Sequence, residues 1–185
     1  MPSVAPIGAT SLILSTFSAD FTGGGSERAG TSWVGNVTHN PTSITVGGTA
    51  RDENGWGVTG LSLDASAINF LVITARRDTG NTASTLFVQF EDLQLRTRLV
   101  SVSTSAFAFG SLTTVTVPLT AWTIDFGPSQ ITGWNIGGGG IGTDDFRMTL
   151  DTLSLTASAI PEPSTYAALL GLATLALAAH RRRRP

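Results

Sequence analysis

The sequence contains no cysteine and no lysine, and only 13% of its 185 residues are charged. The lack of cysteine excludes disulfide bonds, thiolate nucleophiles and cysteine-ligated zinc or iron–sulfur sites. Charged residues are about half as frequent as in an average soluble domain, and Ser and Thr take their place. Because 41% of the residues are hydrophobic, the composition predicts a folded chain and not a disordered one. The length allows one domain of ordinary size with terminal segments.

Basic residues are concentrated at the C-terminus. Arg181, Arg182, Arg183 and Arg184 are four of the eleven cations. Residues 1–160 carry seven Arg against twelve acids, a net charge of −5, and show no basic stripe. The body of the chain is therefore mildly acidic, which argues against nucleic acid as a partner.

Residues 10–157 consist of short runs of β-branched and apolar residues divided by Gly, Asn, Asp and Pro. Apolar residues alternate with polar ones in 113–117 and 146–155, and the second series shifts by one position after Leu150. Such a period of two is typical of strands with one buried and one wetted face. The predicted strands are 11–17, 44–46, 57–63, 69–75, 85–90, 95–101, 113–117, 130–136 and 146–156.

The segments between these strands carry turn residues. Residues 77–81 and the glycine run 137–140 are predicted turns, and His39 is predicted to lie in an exposed loop. No amphipathic helix exceeds two turns before the C-terminal segment. We therefore predict an all-β fold, an antiparallel β-sandwich of the jelly-roll type over residues 10–157, followed by a single C-terminal hydrophobic helix.

The C-terminal segment has three parts. Residues 158–165 form a linker that contains Pro161, Glu162 and Pro163. Residues 166–180 are predicted to form a helix, since Ala and Leu favour helix and the prolines exclude it upstream. Its apolar positions are Tyr166, Leu169, Leu170, Leu172, Leu175 and Leu177. Apolar residues on all sides predict a membrane helix, with 181–185 as a basic cytoplasmic tail under the positive-inside rule.

A Pro-Glu-Pro element, a short apolar helix and a terminal Arg cluster, in this order, resemble the PEP-CTERM sorting signal of Gram-negative bacteria. The resemblance covers about 26 residues. It implies that the chain is held in the inner membrane, with membrane lipid around the helix, until an exosortase recognises Pro161, Glu162 and Pro163. It further implies delivery to the cell surface or the extracellular matrix.

The N-terminus departs from the pattern of an exported protein. Residues 1–19 contain no basic residue, and their apolar run 12–14 is only three residues long, whereas a signal peptide has a charged region and a longer apolar region. We expect residues 1–9 to be a disordered N-terminus that lacks its signal peptide.

The body shows a second resemblance. The order of strands and the final run Phe-Arg-Met-Thr-Leu-Asp-Thr-Leu-Ser-Leu at 146–155 are similar to galactose-binding-like jelly rolls that serve as carbohydrate-binding modules. Four tryptophans offer flat rings on which a sugar can stack. Trp56 lies between two glycines and Trp33 in a region rich in Ser, Gly and Asn, so both are candidates for carbohydrate binding. The alternative is that all four tryptophans belong to the core, which is expected for Trp134.

The second resemblance also implies a structural Ca²⁺ held by an acid of the last strand and by groups near the N-terminal strand. Asp151 and Asp20 are the candidate ligands, because carboxylate oxygens suit this hard cation. The alternative is that the acids serve only as turn residues, and no other cofactor is predicted.

The sequence offers little for catalysis. The two histidines are His39 and His180, no Ser has a nucleophile-elbow pattern, and the acid doublets stand beside turns. Adjacent acids point to opposite faces of a strand and so do not form a working pair. We predict an exported structural or adhesive protein that is not an enzyme and that binds exopolysaccharide in a biofilm matrix. The alternatives are a surface glycoside-acting enzyme and a matrix protein without a ligand.

Overall fold

A computed structural model describes residues 11–15, 26–27, 36–49, 55–119, 126–139 and 145–157. Within these ranges eleven strands lie in two sheets, and every pairing between them is antiparallel. Sheet A contains β1 (Ser11–Ser15), β3 (Asn36–Asn40), β4 (Ser43–Thr49), β6 (Phe70–Arg77), β9 (Thr113–Pro118) and β11 (Asp145–Thr156). Sheet B contains β2 (Ser26–Glu27), β5 (Gly55–Leu63), β7 (Thr85–Asp92), β8 (Thr97–Ser103) and β10 (Ile131–Gly139).

Most neighbours in each sheet are distant in sequence. Sheet A has the order β3-β4-β11-β6-β9, and sheet B has the order β2-β5-β10-β7-β8. Strand β11 is twelve residues long; its first half pairs with β4 and its last residues pair with β1 along the same edge. Strands β4 and β1 therefore lie one after the other along the same edge of the long final strand.

The core lies between the two sheets and is built by alternation. In β8, Val100 and Val102 are buried while the residues on either side of each are exposed. At the centre, Trp56 of β5 and Trp134 of β10 pack edge to face with ring centroids 5.5 Å apart. Such an arrangement suits aromatic pairs and adds to the stability gained by burying two large side chains.

The predicted two-sheet antiparallel sandwich is confirmed, and the shift in β11 has a structural cause. Leu150 pairs with Ala75, but the next residue of β6, Thr74, pairs with Thr152. Asp151 is thus the extra residue of a β-bulge. The bulge transfers the buried positions from the even-numbered to the odd-numbered residues, which keeps both halves of the strand facing the core.

The prediction of a turn at the glycine run 137–140 is wrong for its described part. Gly137–Gly139 are the last residues of β10, and the Phe146 ring of sheet A packs directly on Gly138. A Cβ atom at Gly138 would overlap that ring. Glycine is required here because a side chain of the opposite sheet approaches the backbone.

Two further differences concern strand boundaries. His39 lies in β3, not in a loop, because a turn at Pro41–Thr42 folds β3 back onto β4; its side chain is exposed, as expected. The strand predicted to begin at Leu95 begins at Thr97, and Leu95 itself has a φ of 60° in the β7–β8 hairpin.

Helix is scarce in the described residues, which contain two single-turn 3₁₀ helices at Thr104–Ala106 and Pro128–Gln130. None of the helices in these ranges is long and apolar enough to cross a membrane. The predicted C-terminal helix over 166–180 and the predicted N-terminal segment 1–9 lie outside the described residues.

Candidate functional site: a polar groove on sheet A

An open groove of about 660 Å³ lies on the outer face of sheet A, across β3, β4, β11 and the end of β6. Alternation places polar side chains there, since Met148 and Leu150 face the core. The groove is lined by Thr38, Thr45, Gly47, Gly48, Arg76, Asp78, Thr79, Asp145, Arg147 and Thr149. It is therefore a surface of hydroxyl, guanidinium and carboxylate groups on a rigid sheet.

A chain of hydrogen bonds between side chains crosses the floor of the groove. Arg76 Nε donates to Asp78 Oδ1 at 3.0 Å, and Thr149 Oγ1 donates to Asp78 Oδ2 at 2.7 Å. The hydroxyls of Thr149 and Thr45 lie 3.1 Å apart, and Asn40 Nδ2 donates to Thr45 Oγ1 at 3.4 Å. This chain links four neighbouring strands and holds the polar groups in fixed positions, which lowers the entropy cost of binding a ligand.

Two glycines of β4 open the groove beside Arg147. Gly47 is the direct partner of Arg147 across the β4–β11 pair. Its neighbour Gly48 has a φ of 151° and also lines the groove. Two consecutive glycines on the floor leave space next to the guanidinium that a ligand can enter.

The loop after β6 forms the wall of the groove and is pinned to β11. The Asp78 amide donates to the Arg147 carbonyl at 3.1 Å, and the Arg147 amide donates to Asn81 Oδ1 at 2.8 Å. The Asp145 amide donates to Thr82 Oγ1 at 2.8 Å. Because the loop and the strand exchange these bonds, Asp78 and Arg147 keep a constant relative position.

The two arginines of the groove have donors to spare. Arg147 Nη2 makes one long contact of 3.5 Å with Asp145 Oδ2, and the two side chains are 54% and 51% exposed. Arg76 uses Nε for Asp78 and is 40% exposed. Within the described part of the chain the remaining guanidinium nitrogens of both residues have no acceptor. They can donate to the hydroxyl, ring or carboxylate oxygens of a ligand.

The carboxylates of the groove do not form a catalytic pair. Both oxygens of Asp78 already accept hydrogen bonds, from Arg76 and from Thr149. Asp145 is half exposed beside Arg147. Among the lining residues that the structure describes there is no histidine and no aromatic ring. The described arrangement is suited to binding by hydrogen bonds.

Of the two tryptophans predicted to bind sugar, Trp56 is in the core. It is 1% exposed and packs edge to face with Trp134, and the His39 ring lies 6.2 Å away between centroids. A ring enclosed on both sides has no face for a sugar, so the expectation for Trp56 is corrected. The neighbouring Gly57 allows β5 and β10 to approach closely, because a Cβ at this position would overlap Asn135 and the Trp134 carbonyl. Trp33 lies outside the described residues.

Of the two proposed calcium ligands, only Asp151 lies within the described residues. Asp151 occupies the bulge of β11, half-buried, and accepts a hydrogen bond from Thr152 Oγ1 at 3.0 Å. Asp20 lies outside the described residues. In the ranges that the structure describes, no three His, Asp or Glu side chains are grouped to hold a metal ion.

One acid predicted to form a turn does so from a fully buried position. Asp92, which is 0% exposed, accepts hydrogen bonds from the amides of Gln94, Arg96 and Gly127 at 2.8–2.9 Å and from Arg96 Nε at 2.7 Å. Burial raises the pKa of Asp92, but these hydrogen bonds outweigh it and hold the pKa below its usual value. Asp92 holds the β7–β8 hairpin of sheet B in place and does not line the groove on sheet A.

The groove residues Arg76, Asp78 and Arg147 were not identified from the sequence. Their only signal was a charge at outward positions of otherwise Thr-rich strands. Arg147, for example, stands between the buried residues Phe146 and Met148. Which outward residues of separate strands become neighbours depends on the order β4-β11-β6, and a single sequence does not reveal that order.

Comparisons with known proteins concern the two parts of the chain separately. The family model described as the PEP-CTERM protein-sorting motif matches residues 159–184. These include Pro161, Glu162, Pro163, the predicted helix and the Arg cluster, all outside the described residues. No curated protein sequence matches the chain.

The body is similar to solved carbohydrate-binding modules. A family 29 module has a TM-score of 0.56 at 10% identity and covers 86% of this chain and 98% of its own. A CBM29-2 mutant complexed with cellulohexaose has a TM-score of 0.56 at 10% identity, with 85% and 99% covered. The family 11 module of a cellulosomal cellulase of Clostridium thermocellum has a TM-score of 0.51 at 12% identity, with 86% and 99% covered.

At these identities the structural likeness establishes the fold, a jelly-roll sandwich shared with carbohydrate-binding modules. The sorting-motif match implies a membrane-anchored intermediate that is processed by an exosortase and then exported to the cell surface. The chain thus combines a β-sandwich of the carbohydrate-binding-module fold with a PEP-CTERM sorting motif at its C-terminus.

Proposed function

We propose that this chain is a non-catalytic protein of the cell surface or extracellular matrix that binds exopolysaccharide through the groove on sheet A. The observation that carries the proposal is the groove itself: a polar floor held by hydrogen bonds, with spare guanidinium donors on Arg76 and Arg147, on an open, rigid sheet of this fold. A polysaccharide presents many hydroxyl and ring oxygens in a row, which suits an open groove better than an enclosed pocket. The structural neighbours support the proposal, because their names describe modules that bind carbohydrate.

The chemistry of the groove favours sugars rich in acceptor oxygens. Arg76 and Arg147 can each bind a carboxylate or two adjacent hydroxyls, since a guanidinium presents paired donors. None of the described residues that line the groove is aromatic, so we expect polar contacts to hold the ligand there. We therefore expect uronate-bearing polysaccharide to bind more tightly than an unsubstituted glucan.

A binding panel tests this function directly. The full chain in detergent is titrated with alginate, polygalacturonate, mannan and soluble cellulose oligosaccharides, and the heat of binding and any release of reducing sugar are recorded. We expect binding of at least one uronate polymer without release of sugar. Release of reducing ends would favour the glycoside-acting enzyme, and binding to none of them would favour a matrix protein without a ligand.

The proposed route to the surface rests on the sorting motif. Residues 166–180 would span the inner membrane, Arg181–Arg184 would stay in the cytoplasm, and the exosortase would act near Pro161–Glu162–Pro163. Intact mass and membrane fractionation in hosts with and without exosortase test this route. Loss of the Arg cluster only in the host with exosortase supports sorting, and its retention in both hosts contradicts sorting.

A further inference from the structure

We propose that the tip of the β7–β8 hairpin is a membrane-contact site that docks the sandwich on the lipid surface while the chain is anchored by its C-terminal segment. The inference rests on the membrane-anchored intermediate described above. It concerns a surface separate from the groove, formed by Leu93 and Leu95 at the turn between Thr85–Asp92 and Thr97–Ser103. These residues are called the leucine tip below.

The leucine tip exposes apolar surface that nothing in the described domain covers. Leu93 is 57% exposed and Leu95 is 75% exposed, the highest value among the large apolar side chains of the described residues. Leu99, on the adjoining strand, is 53% exposed. Three large apolar side chains on one hairpin mark an interaction surface, whereas single exposed leucines do not.

Leu95 is held in a backbone conformation that a leucine rarely adopts. Its φ is 60°, a region that favours Gly and Asn and is strained for a bulky side chain. The fold does not need leucine there, since the side chain is exposed and packs on nothing in the core. A strained and exposed apolar residue is explained if it contacts something outside the domain.

The leucine tip is also rigid. The buried carboxylate of Asp92 accepts hydrogen bonds from the amides of Gln94 and Arg96, both at 2.9 Å, and the Leu95 amide donates to the Asp92 carbonyl at 2.9 Å. The turn is therefore fixed before any contact is made. A preformed apolar tip loses little conformational entropy when it docks.

The position of the tip identifies the lipid surface as its partner. The Leu93 amide donates to the Gln130 carbonyl, the Ala65 amide to Pro128, and the Asn69 amide to Thr156, the last residue of β11. These bonds place the leucine tip at the end of the sandwich from which the chain continues into the sorting motif at 159–184.

The tether between the sandwich and the predicted membrane helix is short. Nine residues, 157–165, span at most about 30 Å when extended. The end of the sandwich that carries the leucine tip is therefore confined near the bilayer. At such an effective concentration even a weak apolar contact is populated.

The other end of the sandwich provides a natural comparison. Phe109 and Leu112 are 58% and 50% exposed there, in the loop that bonds to Arg77 at the end of β6. Arg77 also lies over the Phe109 ring at 3.9 Å. These apolar residues point away from the tethered end, so they should not meet the lipid.

The absence of cysteine from the chain makes a site-specific test simple. A single environment-sensitive nitrobenzoxadiazole label is attached to Gln94→Cys, between the two leucines, or to Ser111→Cys, beside Leu112. Both positions are exposed. The full chain is reconstituted in liposomes of phosphatidylethanolamine and phosphatidylglycerol, and its retention is measured by flotation.

We expect the fluorescence emission of the label at position 94 to shift to shorter wavelength and to be quenched by a lipid-borne quencher. The emission of the label at position 111 should not change. The added changes Leu93→Ser and Leu95→Ser should abolish the response at position 94. A chain that floats with liposomes but gives equal signals at both positions, or an unaltered signal in the serine variant, overturns the inference and leaves the anchored intermediate intact. A chain that does not float contradicts the anchored intermediate and this inference with it.

Discussion

At the residue scale, the β7–β8 hairpin depends on Asp92, a buried carboxylate that accepts hydrogen bonds from the amides of Gln94 and Arg96 and from the Arg96 side chain. Replacing Asp92 by Asn removes the charge and turns an amide group toward amide donors. We expect a loss of about 2–3 kcal/mol in the free energy of unfolding, the range for hydrogen bonds to a charged group and an unsatisfied buried donor. Urea unfolding measures it. The matched control is Asp145→Asn, whose ion pair is half exposed and 3.5 Å long, and which should change stability by no more than about 0.5 kcal/mol. Equal losses in both variants would contradict this account.

Asp92 also gives stability a predictable dependence on pH. Because its pKa in the folded protein is below the unfolded value of about 3.9, its contribution is fully present above that value. It is lost as the pH falls from there through the folded pKa. The urea midpoint of the wild type should therefore fall more steeply with acid below about pH 4 than that of Asp92→Asn. Parallel curves for the two proteins would show that another group carries the acid sensitivity.

At the scale of the element, the sequence predicted the strand features that follow from alternating apolar and polar residues. It gave a wrong prediction where contacts between the two sheets determine the local structure. The shift in β11 was visible because buried positions follow a period of two, and the bulge at Asp151 explains it. The glycine run of β10 carries the usual turn signal, yet Gly138 lies in a strand because the Phe146 ring approaches it from the other sheet. No local pattern encodes that contact.

The packing of Phe146 on Gly138 predicts coupling between the two sheets. Gly138→Ala should lower the free energy of unfolding by about 1–3 kcal/mol, the usual cost of overpacking. Phe146→Ala removes the ring atoms Cγ and Cδ2, which lie nearest to that Cβ position, and should relieve most of the overlap. The double variant should then be more stable than the sum of the two single losses predicts. Additive losses in urea unfolding would mean that the ring moves aside and that the glycine is not required.

At the scale of the whole molecule, the sequence predicted a two-part organisation, because composition alone separates the sandwich from the apolar and basic tail, and the comparisons match the two parts separately. It did not locate the groove on sheet A. The candidate Trp56 is enclosed in the core, whereas Arg76 and Arg147 line the same groove only because β11 pairs with β6. The two arginines are about seventy residues apart in the sequence, and only the order of the strands in the sheet makes them neighbours.

Calorimetric titration of groove variants shows whether the groove on sheet A binds polysaccharide. The full chain is compared with Arg76→Gln, Arg147→Gln and the double variant, and with Arg98→Gln on sheet B as the matched control. Each groove change should weaken binding of a uronate polymer about tenfold, the effect of losing about 1.4 kcal/mol from a charge-assisted hydrogen bond. The double variant should lose about a hundredfold, and Arg98→Gln should bind like the wild type. Unchanged affinity in the double variant, or an equal loss in Arg98→Gln, would show that the groove is not where the polysaccharide binds.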